Sequence, residues 1–224
     1  MRYLTLDIEL ADRMLPSICS ISIRTWKDGV NTKTFSTLIN PDCEIEDFLT
    51  KRHGITQEMV KSAPTLPEVW KEIYDLLEGN LVFAHFANDV IKKLASRASV
   101  DYLNMPNLKY GCTASIAKRT WPEQPDFRLH PLSESLNITK IHNNSKEDSK
   151  TIGIIINKSI EHYEVNSVVE LFEKIGFAGG YINNGSKTCY RAVKDKKKKV
   201  FVTKIKSENN SFLFKNYKNF SSET

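Results

Sequence analysis

No two cysteines of this chain stand close together. Cys19, Cys43, Cys112 and Cys189 are spread over 224 residues without a C-x-x-C pair. That spacing argues against a zinc site and suits reduced thiols in a cytoplasmic setting, packed as small apolar residues. Long apolar runs are missing too. Nothing approaches the roughly 18–20 residues of a spanning helix, so no membrane association is expected. Met1-Arg2 leads straight into a strand-like pattern, so a secretory leader is not expected either. Evenly spread charge is a third absence. From Lys187 onward 11 Lys and Arg face 3 Asp and Glu, whereas residues 1–186 carry 21 basic and 24 acidic residues. The net charge of +5 is therefore owed to the tail and not to the body. At 40% apolar and 26% charged residues, the chain suits one globular domain with an appendage.

What is present begins at Tyr3-Leu4-Thr5-Leu6-Asp7-Ile8-Glu9. Leu4, Leu6 and Ile8 alternate with Thr5, Asp7 and Glu9, which in a strand puts the apolar residues on one face. Asp7 and Glu9 then project together from the other. Two carboxylates held so close repel unless a cation lies between them. The pattern alone allows a hard-metal site or a plain solvated strand face.

The rest of the chain alternates in character. Ile18–Trp26 and Thr32–Ile39 read as strands joined at Lys27-Asp28-Gly29, so the first three strands form an antiparallel meander. Thr65-Leu66-Pro67-Glu68 is a capping box, and Val69, Trp70, Ile73, Leu76 and Leu77 follow at helical spacing up to Gly79. Leu81–Ala84 is a short apolar run, as in a buried central strand. Asn88 can cap a helix to about Ala98. Asn107–Cys112 reads as a strand, Thr113–Arg119 and Leu129–Leu136 as helices, Asp148–Tyr163 as an apolar helix, and Val168–Ile175, capped by Asn166, as the last. Beyond Gly176 periodicity fades. Lys196–Lys199 is a lysine run, and Val200–Val202 could form an edge strand. A strand meander followed by alternating helices and strands is a mixed α/β layer arrangement.

In that order the motifs resemble the histidine branch of the DEDD 3′–5′ exonucleases, the DEDDh or epsilon-subunit-like family of the ribonuclease H-like superfamily. The resemblance rests on Asp7-Ile8-Glu9, His53-Gly54-Ile55-Thr56, Pro64–Trp70, Ala84-His85-Phe86-Ala87-Asn88-Asp89 and Cys112-Thr113 with Ala117-Lys118-Arg119. It implies a five-stranded mixed sheet flanked by helices over residues 1–163, then a C-terminal helix and connection (164–186) and a basic tail (187–224). The final motif departs from the family pattern. Aligning the helix on Asp148, Ser149 and Gly153 puts Asn143 where a catalytic His is usual, with His142 one position early. Aligning on His142 makes Glu147 the acid. The small residues of the helix favour Asp148.

The resemblance also implies a mechanism. Asp7, Glu9, Asp89 and Asp148 would hold two Mg²⁺ or Mn²⁺ ions, about 3.5–4 Å apart in such sites. His142 is the candidate general base. Ile8, His53, Ile55, His85 and Phe86 fall where the family contacts the 3′-terminal nucleotide. His85 on its own reads as a residue that packs and hydrogen-bonds at a strand end, and Phe86 as a base-stacking or core residue. The implied function is hydrolysis of phosphodiesters at single-stranded DNA or RNA 3′ ends. Asn143 and the shortened Asp89 motif support an alternative, a nuclease-fold nucleic-acid- or partner-binding protein with impaired turnover. The lysine tail, with Tyr190, Tyr217 and Phe220, suits phosphate backbone or a replication or repair protein.

Overall fold

A computed structural model describes residues 2–139, 144–183, 186–188 and 191–192. His142, Asn143, the lysine run and Val200–Val202 lie outside the described residues. The elements, in chain order, are β1 (Arg2–Leu10), β2 (Ile18–Lys27), β3 (Val30–Leu38), α1 (Asp47–His53), α2 (Gln57–Val60), α3 (Leu66–Leu77), β4 (Leu81–Ala84), α4 (Ala87–Val100), β5 (Leu108–Cys112), α5 (Thr113–Thr120), α6 (Leu129–Ser135), α7 (Ser145–His162), α8 (Val168–Ile175), β6 (Phe177–Ala178), β7 (Gly180–Asn183), β8 (Ser186–Thr188) and β9 (Arg191–Ala192).

The meander forms as the alternation predicts. β1 pairs antiparallel with β2, and β2 with β3, through a turn in which Asp28 and Gly29 both take positive φ (50° and 80°). Both central residues of a type I′ hairpin need that conformation, which is why Asp-Gly serves there. β4 then joins the other edge of β1 in parallel, and β5 pairs in parallel with β4. The sheet has seven strands in the order β3-β2-β1-β4-β5-β7-β8, not five. The two extra strands come from residues past 163, where β7 pairs antiparallel with β5. They are three and four residues long, too short to show a sequence period. A separate two-stranded ladder joins β6 and β9.

Helices cover both faces. On one, Leu4, Leu6 and Ile8 pack in a cluster with Leu66, Trp70 and Ile73 of α3 and Ile91, Leu94 and Ala98 of α4. On the other, Tyr3, Trp26 and Phe83 pack with Ile152 and Ile156 of α7 and Leu171 of α8. The face of β1 that carries Asp7 and Glu9 is thus the face under α7. No helix among the described residues is long and apolar enough to cross a membrane.

Candidate active site

Polar bonds fix α7 to β1 and β2 from Ser145 to Asn157. Tyr3 Oη donates to Asn157 Oδ1 at 2.9 Å, and Thr5 Oγ1 donates to the Ser149 carbonyl at 2.7 Å. The Trp26 indole N–H donates to Thr5 Oγ1 at 3.0 Å. The hydroxyls of Ser22 and Ser149 lie 2.9 Å apart, and those of Ser20 and Ser145 2.6 Å apart. Arg24 Nη2 donates to the Lys146 carbonyl at 2.9 Å. A helix can approach a sheet this closely only over small residues, and α7 presents Ser145, Ser149 and Gly153 at four-residue spacing. Ser20, Ser22 and Arg24 alternate along β2 to meet them.

This clamp brings Asp148 to β1. Carboxylate oxygens of Asp7, Glu9 and Asp148 all lie within 4.8 Å of one another. Asp7 is only 9% exposed, and Oδ1 of Asp148 is shielded from solvent. Three of the four expected acids therefore meet, from segments about 140 positions apart. The helix start lies earlier than its apolar pattern suggests. Asn144 is the N-cap, its side chain accepting from the Glu147 N–H, so Asp148 stands inside the first turns.

Asp89 does not join this group. It lies in the first turn of α4 with a 62% exposed side chain, and its carboxylate is 3.1 Å from Lys93 Nζ, one helical turn on. The cap of that helix is also not Asn88. Phe86 takes the N-cap position in the left-handed region (φ 53°, ψ 48°). Asn88 instead accepts from the Tyr110 hydroxyl at 3.0 Å.

Of the residues placed near the 3′-terminal nucleotide, His85 is buried, with Nε2 donating to the Phe127 carbonyl at 2.7 Å and Nδ1 in a hydrogen bond of 2.9 Å with the Thr113 hydroxyl. It braces the end of β4 in the way its strand-end position suggests. His53 is buried as well. Its Nδ1 accepts from the Ile55 N–H at 3.0 Å and its Nε2 donates to the Leu10 carbonyl at 3.1 Å. The ring thereby ties the Gly54-Ile55 turn to the end of β1. Burial, with the Arg52 charge adding to it, holds the imidazole below its ordinary pKa, so it is neutral at pH 7. Burial and the nearby Glu9 charge push the Cys19 thiol up to about 12, so it is an inert packing group. Ile8 and Ile55 are buried, whereas Phe86 remains 45% exposed and sets its ring edgewise on His85 at 4.8 Å.

Beside the acids runs a groove of about 630 Å³. Ser20, the cross-strand partner of Glu9, lines it together with Thr37, Arg52, Ile55, Ser145 and Lys146. Among the described residues none of those lining it is acidic. Hydroxyls and two cations next to a carboxylate cluster suit a phosphodiester backbone held near a metal. Sequence reasoning missed Arg52 and Lys146, which belong to no motif. The alternation of Ser20 and Ser22 with Ile21 and Ile23 was the signal available for the wall.

A family model described as an exonuclease, RNase_T, matches residues 7–152, which begins at Asp7 and ends just past Asp148. The chain belongs to this exonuclease family. Among curated relatives, the PolC-type DNA polymerase III of Caldanaerobacter subterraneus is 29% identical over 142 residues, covering 62% of this chain and 10% of that protein. The DNA polymerase III epsilon subunit of Aquifex aeolicus is 29% identical over 133 residues, covering 57% of this chain and 64% of that one. The exonuclease chain thus spans less than two thirds of either relative. Among solved structures, the nuclease domain of 3′hExo, a DEDDh family member bound to rAMP, superposes with a TM-score of 0.62 at 20% identity. That match covers 71% of this chain and 92% of the other. Exonuclease X in complex with 5′ overhanging duplex DNA gives 0.56 at 20% identity, covering 70% and 92%. The exonuclease family is divalent-metal dependent, and an acidic cluster is in place here.

Proposed function

We propose that this exonuclease-family chain hydrolyses the terminal phosphodiester at the 3′ end of a single-stranded nucleic acid. The observation that carries the reading is the meeting of Asp7, Glu9 and Asp148 within 4.8 Å, beside a groove with no acid among its described lining residues. Three carboxylates are a hard, anionic donor set, which fits Mg²⁺ or Mn²⁺ and not a softer metal. Such an ion would polarise the scissile phosphate and lower the pKa of a bound water. Asp7 and Glu9 hold their places through the β1–β2 register, and Asp148 through the Ser149 and Arg24 bonds. Arg52 and Lys146 draw the phosphate backbone along the groove, and the exposed ring of Phe86 offers a face for the terminal base. His142, next to the start of α7 in sequence, is our candidate for the proton acceptor.

The likeness to polymerase III subunits supports a replication or repair protein as partner, with the basic tail as its contact or as a phosphate clamp. The free thiols of Cys19, Cys43 and Cys112 support a reducing, cytoplasmic setting. A second reading, binding without turnover, is favoured by the outward turn of Asp89.

The test is digestion of 5′-labelled single-stranded DNA and RNA in Mn²⁺. We expect a ladder that shortens from the 3′ end and is abolished in Asp148→Asn. Equal digestion by the two proteins overturns the proposal. Tight binding by both with no product establishes the second reading in its place.

A further inference from the structure

We propose that this site takes up one divalent cation and not two, because α4 turns Asp89 away from the acids of β1. The inference rests on the reading of Asp7, Glu9 and Asp148 as the metal site.

The geometry of α4 carries it. Ala87, Ile91, Leu94 and Ala98 are fully buried and define the inward face of the helix. At about 100° per residue, Asp89 lies roughly 170° around the axis from the mean direction of those four. Its exposure and its bond to Lys93 agree with that placement. No side-chain rotation corrects it. A helix with its side chains is about 10–12 Å across, and an aspartate carries its carboxylate only one carbon past Cβ. Freed from Lys93, the carboxylate still lies on the far side.

The two flanks of α4 are told apart by Asn88. Its bond to Tyr110 turns that flank toward β5. In the sheet β4 stands between β5 and β1. The opposite flank, roughly 160° away, therefore looks toward β1, and it carries Val90. Val90 is partly buried against the core cluster that contains Ile8, on the face of β1 opposite Asp7 and Glu9. This flank of α4 offers the acids no carboxylate.

Repulsion between ions leads to the same result. Two dications about 3.5–4 Å apart would share three carboxylates, and among the described residues no fourth acid joins them to lower that repulsion. Lys93 adds to the mismatch by engaging the one acid of this turn at the surface.

The test is isothermal titration of the full chain with Mn²⁺, with manganese paramagnetic resonance as the count of bound ions. Wild type should bind one ion, and Asp89→Asn should bind one with unchanged affinity. Two ions on wild type overturn the proposal, the more firmly if Asp89→Asn loses one. No ion on wild type removes the metal-site reading itself, a failure distinct from a count of two.

Discussion

Gly153→Ala should damage this protein twice over, in stability and at the metal site. A Cβ at position 153 would lie 2.1 Å from Cε2 and Cζ2 of Trp26, where ordinary contact begins at 3.4 Å. The difference, about 1.3 Å, must be found by moving either the indole or the helix. The indole is poorly placed to move. Trp26 is 4% exposed, lies parallel to the Tyr3 ring (6° between planes, centroids 6.2 Å apart) and donates to Thr5. The helix must therefore lift from the sheet. A lift of that size stretches the 2.7 Å bond from Thr5 Oγ1 to the Ser149 carbonyl to about 4 Å, beyond hydrogen-bond reach. Overpacking costs about 1–3 kcal/mol, and each buried bond lost adds about 1 kcal/mol. Asp148 precedes Ser149 directly, so the lift carries it about 1 Å from Asp7 and Glu9. A displacement of that order costs about 100-fold in turnover. Urea denaturation measures the first effect, and Mn²⁺ titration with nuclease assay the second. Trp26→Leu in the same chain should restore part of both, because the two sites are coupled through one contact. A Gly153→Ala protein as stable and as active as wild type would refute the claim that close contact between α7 and β2 positions Asp148.

Three further outcomes follow from the same structure. Phe86→Asn should raise the thermal midpoint, because a bulky residue in the left-handed region is strained by on the order of 1–2 kcal/mol and Asn tolerates it. It should also weaken single-strand binding by about 1–3 kcal/mol in a filter or fluorescence assay, through loss of the stacking ring. Acidification should destabilise the fold through His53. Its folded pKa is lowered, so the stability it contributes is complete above the unfolded value of about 6.5 and is lost as pH falls through the folded value. Denaturation midpoints measured from pH 7 to 5 should fall, and His53→Gln should flatten that part of the curve. Glu9→Gln should stabilise the protein in EDTA, because the acids within 4.8 Å repel by about 3 kcal/mol per pair at an effective dielectric of about 20. The same substitution should abolish the rise in thermal midpoint that Mn²⁺ gives wild type.

Legibility in the sequence followed the strength of local period. Asp7 and Glu9 could be read because strand alternation alone fixes which face they share. β4 was legible to the residue because a four-residue apolar run is what a strand covered on both faces requires. The start of α7 was read three residues late. Ser145, Lys146 and Glu147 lack apolar period, although Asn144 with Glu147 three residues on is a cap signal. α1 and α2 were missed because helices of seven and four residues turn too few times to show a stripe. Asp89 is the instructive case. Its place in the motif order suggested a metal ligand, yet the spacing of Ile91, Leu94 and Ala98 already set it on the outer face of its helix. The groove cations were beyond sequence reasoning, since only folding brings Arg52 of α1 and Lys146 of α7 to one wall.

Anomalous diffraction at the manganese edge from a crystal soaked in Mn²⁺ tests the central claim most directly. The account predicts a peak within bonding distance of Asp7, Glu9 and Asp148. A saturated crystal with no peak there, or with manganese bound only elsewhere, would contradict it.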